Sequence, residues 1–330
     1  MGTKEKRPAE KRPAKVRAKE RAKERPDEAR PARGGLFRNG AGHVRLLWLW
    51  LIGFAAYAAW NWGVEFAFAQ TLGRLHSHAM NLSYGDVLQA PLWATMVIRG
   101  YDPLLSIVES LGTVAIFLTL ARILHNKGDH EGFELPGLGK WLLVGLVAAL
   151  AGTGLCLLTD SMRLAAPLAE PKFSLATAVA APECFLATLA GEVFMMDYLY
   201  ESARAHLKRL PSILLLLVVE FVAEGGWHLS AIGMLNVALQ VSLCCMLHDR
   251  YGLAAPTGLF TAWSFVHSAL IANLSSHAAG GVWSVYHVSE PWLTGGSHGL
   301  FNGVYMTAFL LAVQLFVHFR HRYRGPEEAA

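Results

Sequence analysis

The feature that most limits what this chain can fold into is a succession of apolar runs, each about 20 residues long, between residues 46 and 319. One such run fits the centre of a soluble domain; a series of them does not. As a helix, a run of that length reaches across a bilayer core of ~30 Å. Eight spans are predicted, at 46–69, 104–124, 141–159, 174–200, 211–229, 231–248, 253–274 and 299–319. The expected fold class is therefore all-α, a polytopic membrane helix bundle of about eight transmembrane helices. Composition agrees, because 53% of the 330 residues are hydrophobic and the 16% that are charged crowd towards the two ends.

Residues 1–34 hold thirteen Lys/Arg, six acids and no aromatic side chain. Such a segment cannot bury a core and is predicted to be disordered. It lacks the apolar stretch of a signal peptide. Without stacking residues it suggests no nucleic-acid partner, and its charge suits the anionic surface of a bilayer instead. The organisation expected is a basic cytoplasmic tail over 1–35, a transmembrane domain over 36–324 and a short C-terminal tail over 325–330. Basic clusters recur at "ARILHNK", "RAHLKR", "HDR" and "RHRYR", in alternate loops on the side of the tail. The positive-inside rule then puts both termini in the cytoplasm. The 70–103 segment, with "HSH" and its Gly/Pro breaks, is read as holding an interfacial helix. Cys156, Cys184, Cys244 and Cys245 fall inside apolar runs without zinc-like spacing and are read as small apolar residues.

An ionisable group at mid-membrane costs roughly 2.5–3.5 kcal/mol on insertion scales, so it usually has a partner and a purpose. The costly residues cluster. Span 4 carries Glu183, Glu192 and Asp197; span 7 carries His267. Span 5 contains "VVEFVAEGGWHLS", with Glu220, Glu224 and His228 four apart. Four-residue steps keep those three on one helical face. Glu192 and His228 each lie about 18 residues from the 4–5 turn, so at ~1.5 Å per residue they are expected abreast. Phe260, Ser264 and His267 share a face on span 7. A carboxylate and an imidazole in a dry cavity can activate water and stabilise an oxyanion. They can also hold a metal ion. The bland alternative is that they pair only to be tolerated. No motif names a cofactor, and metal binding stays open.

Four strings occur in order: "AGEVFMMDYLY" (190–200), "EGGWHLSAIGMLNVAL" (224–239), "YGLAAPTGLFTAWSF" (251–265) and "PWLTGGSHG" (291–299). In this the chain resembles the CPBP intramembrane peptidases, also called ABI proteins, which include the CAAX prenyl endopeptidases. That family carries E-E-x-x-x-R, F-x-x-x-H and H-x-x-x-N on three helices. The resemblance implies a CPBP-like transmembrane domain in a bacterial inner (plasma) membrane, and a membrane-anchored protein or peptide as substrate or partner. The departures are informative. The family's first glutamate falls on Gly191, its motif arginine on Met196, its phenylalanine on Glu224, its third-motif histidine on Phe260 and its asparagine on Ser264. Glu192 and His228 are kept. Three of the four positions expected to do the chemistry, Gly191, Phe260 and Ser264, are thus substituted.

The expected function is that of a catalytically impaired or inactive relative of these peptidases that binds or acts on membrane-anchored polypeptides. One alternative is an active, divergent peptidase with a remodelled site of Glu192, Glu224, His228 and His267. A second alternative is a membrane-bound O-acyltransferase, which "DYLY" followed by "WH" resembles over a short stretch.

Overall fold

A computed structural model describes residues 44–82, 92–125, 135–165, 175–223, 225, 228–273, 282–287, 291–295 and 303–323. The chain divides into two units, Met1–Trp48 and Leu49–Ala330, and the packing given below is that of the second. The tail expected over 1–35, the C-terminal 325–330 and Glu224 lie outside the described residues.

The helices are α1 (Leu46–Leu82), α2 (Leu92–His125), α3 (Leu135–Leu158), α4 (Leu175–Glu192), α5 (Glu201–His206), α6 (Arg209–Ala223), α7 (Ala231–Tyr251), α8 (Ala254–Phe265), α9 (Pro291–Thr294) and α10 (Val304–Tyr323). Two stretches are wound more widely, as π-helix: Val193–Tyr200 joins α4 to α5, and Val266–Leu270 continues α8. Among the described residues, three short strands, β1 (Met162–Leu164), β2 (Ile271–Asn273) and β3 (Trp283–His287), form one sheet in the order β1-β3-β2. β1 runs antiparallel to β3, with Met162 opposite His287, and β2 runs parallel to it, with Ile271 opposite Trp283.

Helix thus dominates, as the apolar runs require. Among the described residues, four helices are long and apolar enough to cross a membrane: Gly100–Leu124, Leu135–Leu158, Thr177–His206 and Ala231–Tyr251. That is fewer than the eight spans expected. The other predicted spans differ for local reasons. The run at 46–69 continues as helix to Leu82, so "HSH" belongs to α1 and not to a separate interfacial helix. The run at 211–229 stops being helix at Ala223, where "EGG" follows and Gly225 takes φ +62°. Only glycine adopts that conformation without strain. The run at 253–274 gives way to strand at Ile271. α7 begins cleanly because Ser230 caps it, accepting a hydrogen bond from the Gly233 amide at 3.0 Å.

α3 shows what kind of surroundings the bundle suits. Its inward face is Trp141, Gly145, Ala149, Thr153 and Cys156. Its outward face is Leu143, Val147, Leu155 and Leu158, the last 86% exposed. From Gly145 onwards the inward residues are small and the outward ones large and apolar, the arrangement of helices that pack in lipid. The partner of α3 is α8, buried on every side from Ala254 to Ala262. A Cβ on Gly145 would collide with the Leu259 carbonyl oxygen, and one on Gly258 would lie 2.7 Å from the Leu138 carbonyl oxygen. Two glycines therefore let the backbones touch. The second seam is aromatic. Phe194 in the π stretch stacks on Tyr57 of α1 at 4.9 Å and meets Phe117 of α2 at 4.7 Å. Tyr198 donates to the Leu49 carbonyl oxygen at 2.6 Å.

Candidate functional site

The polar side chains that the fold gathers lie between the α4–α5 helix and α7. The π stretch explains how. Within it the hydrogen-bonded repeat is five residues and not four. The five-residue step from Glu192 to Asp197 and the four-residue step from Asp197 to Glu201 then follow one stripe. On α7, Cys244 and His248 are four apart and face that stripe in parallel.

The contacts follow this register. The Cys244 thiol donates to Glu192 Oε1 at 3.4 Å. One turn further along, His248 Nε2 lies 3.2 Å from Glu201 Oε1 and 3.9 Å from Asp197 Oδ1. Glu220, on α6, is within electrostatic reach of both Glu192 and Cys244. At the edge of the cluster Tyr200 donates to Asp249 Oδ2 at 3.1 Å, and Arg209 pairs with the same oxygen at 2.9 Å. Arg209 therefore neutralises Asp249, while the inner carboxylates Asp197 and Glu201 are met by the imidazole of His248.

Two buried atoms of this group have no hydrogen-bond partner among the described residues: Glu192 Oε2 and His248 Nδ1. Glu192 is 8% exposed as a residue, and the His248 side chain is 9% exposed. An imidazole held by carboxylates at one nitrogen presents the other as a base. The arrangement can take up a proton at His248 and hold it among three acids. Among the described residues, no three His, Cys, Asp or Glu side chains are placed to share a metal ion.

The residues singled out from the sequence have the following surroundings. Glu192 sits in the cluster just described. His228 is exposed, in the turn between α6 and α7, its amide bonded to the Gly225 carbonyl oxygen at 2.8 Å. It does not continue the stripe of Glu220, because α6 has already ended. His267 lies against α3: Nε2 is 3.4 Å from Thr153 Oγ1, and Nδ1 donates to the Trp263 carbonyl oxygen at 2.8 Å. Glu192 and His267 thus bond to different partners, Cys244 on one side and Thr153 on the other. At the positions that depart from the CPBP motifs in the resemblance, Met196 and Phe260 are buried. Ser264 is half-buried, and its carbonyl oxygen accepts from the Ser268 hydroxyl. Gly191 is exposed, with open space where a Cβ would stand.

His248 and Glu201 are the residues that sequence reasoning passes over. In the sequence "HDR" reads as a basic loop marker, yet His248 is within α7 and turned inward. The signal is present in the matched four-residue spacings, Asp197 to Glu201 and Cys244 to His248. No protein-family model, curated protein or solved structure matches the chain.

Proposed function

We propose that this is an integral membrane protein, a CPBP-like helix bundle that has no working peptidase centre and binds membrane-anchored polypeptides. The observation that carries the reading is that the hydrogen bonds of the residues such a centre would need go to different partners. Glu192 is bonded to a thiol, His228 is at the surface of a turn and His267 is tied to Thr153. Four apolar helices of spanning length and the outward leucines of α3 support the membrane part. The motif strings at 224–239, 251–265 and 291–299 support the family part.

The test is a reconstituted cleavage assay beside a binding assay. A single-span polypeptide with a reporter next to its membrane anchor should stay intact in vesicles containing the protein, yet co-purify with it. Cleavage that disappears in both Glu192→Gln and His228→Ala would overturn the reading in favour of a remodelled peptidase.

A second reading has one specific observation behind it. The buried Nδ1 of His248, with Glu201 and Asp197 behind the ring, is arranged as a general base. On that reading a hydrolytic or proton-transfer activity resides at His248. It would be abolished by His248→Gln and untouched by His228→Ala.

A further inference from the structure

At the far end of α1 the helix runs beside the first turns of α2 and leaves an open groove of about 610 Å³. Its polar lining is Arg74, His76, Ser77, His78, Asn81 and Tyr101. Every one of these side chains offers a hydrogen-bond donor, and among the described residues no carboxylate lines the groove. His76 is fixed in it by stacking on Tyr101, 4.7 Å between ring centres and 28° between planes. Tyr101 in turn is braced edge-on by Phe68 at 5.9 Å.

The level of the groove is set by α2. The apolar run expected to cross the membrane, 104–124, begins three residues after Tyr101. Tyrosine at the end of a span sits at the headgroup level. Below the groove, towards mid-span, α1 presents Phe66 and Trp62 outward, at 66% and 80% exposure. A ligand with an acidic head and apolar tails would find donors at one height and aromatic surface beneath. Basic residues near a helix C-terminus are common because they complement its dipole. That does not account for Arg74, which stands outside the last turn of α1, nor for a concavity walled on its other side by Tyr101 of α2.

We propose that this groove binds a phosphate-bearing anion, the headgroup of an anionic phospholipid, with Arg74 and His76 as its principal contacts. The placement at headgroup level rests on the membrane reading above; the donor set does not. Full-length protein in neutral detergent is titrated with short-chain phosphatidylglycerol, with the matching phosphatidylcholine, and with inorganic phosphate. Binding is followed by native mass spectrometry and by tryptophan fluorescence. Arg74→Ala should weaken phosphatidylglycerol binding about tenfold, the loss of one charge-assisted hydrogen bond. Arg74→Lys should restore most of it, which separates a lost contact from a lost fold. Arg204→Ala, an exposed arginine on α5, should leave it unchanged. Inorganic phosphate binding as tightly as the lipid, with the same dependence on Arg74, keeps the site and makes its source a soluble phosphate. Equal binding of phosphatidylcholine and phosphatidylglycerol, or indifference to both Arg74 variants, overturns the proposal. Failure of the membrane reading is scored independently, by release of the protein from membranes in alkaline carbonate.

Discussion

The seam between α3 and α8 and the seam between the α4–α5 helix and α7 hold the same molecule together by opposite means. The first is nearly without charge, and its closeness comes from glycine: Gly145 and Gly258 set one backbone against the other. The second is held apart by side chains, and its middle contains Glu192, Asp197, Glu201, Cys244 and His248. A dry seam tolerates no added volume but is indifferent to pH and salt. A charged seam tolerates changes of size but depends on every partner being present. The difference teaches that the fold accepts its larger cost in desolvation between the α4–α5 helix and α7 and keeps the α3–α8 seam as framework.

The largest effect should come from breaking the dry seam. Gly258→Leu places four carbons where the Leu138 carbonyl and the Leu142 amide already stand 2.7 and 3.0 Å from a Cβ. Overpacking against backbone that cannot yield should cost about 3 kcal/mol or more. The expected outcome is loss of the monodisperse peak in fluorescence-detected size exclusion. A normal peak and melting temperature would show that α3 and α8 can separate, and the contrast between the seams would fail.

Next comes the charged seam. His248→Ala leaves Glu201 and Asp197 facing each other without the imidazole. Removing one partner of a buried ion pair costs about 3–5 kcal/mol, and less here because the Glu201 side chain is 30% exposed. A melting temperature lowered in His248→Ala and largely restored by adding Glu201→Gln is expected. Additive losses in the double variant would mean that the two side chains do not interact. Glu192→Gln should be milder, within about 1 kcal/mol of the parent, because an amide oxygen keeps the Cys244 bond and the amide nitrogen that replaces the unpartnered Oε2 is no worse matched than that oxygen was. A drop larger than that of His248→Ala would place the weight of the cluster on Glu192.

The dry seam is legible in the sequence and the charged one only in part. Runs such as "WLLVGLVAALAGTGLCLL" announce a helix by length and apolar content, and the small residues at four-residue spacing mark the inward face. Glu192 is also visible, because an acid in an apolar run is conspicuous. Its neighbours are not, for a geometric reason. Face assignments assume 3.6 residues per turn, and the π stretch over Val193–Tyr200 changes that period where it matters. His228 departs from its expected place for the converse reason. The four-residue spacing of Glu220, Glu224 and His228 describes a helical stripe only while the helix lasts, and "EGG" ends it. His267 does lie on the continuation of α8, but which neighbour it meets depends on packing that one helix's periodicity does not contain.

The smallest effect belongs to an ion pair outside both seams, and it sharpens the contrast by showing what an exposed charge contributes. In the turn after α3, Arg163 donates to both carboxylate oxygens of Asp160, at 2.8 and 2.6 Å. The hydrogen bond from Arg163 is the main reason that the Asp160 carboxyl is held below the ordinary aspartate range. A group with a lowered folded-state pKa stabilises the fold above its unfolded value, about 3.9 for aspartate, and loses that contribution as the pH falls through the folded value. Any stability from this pair is thus present in full at neutral pH and fades only in strong acid. Both side chains are more than half exposed, so solvent and salt screen the pair and its contribution is slight. Arg163→Ala should leave the melting temperature at neutral pH almost unchanged and flatten only the acid limb of the profile. A marked loss at neutral pH would mean that the turn, with Asp160 at φ 56°, depends on this pair to hold β1 against β3.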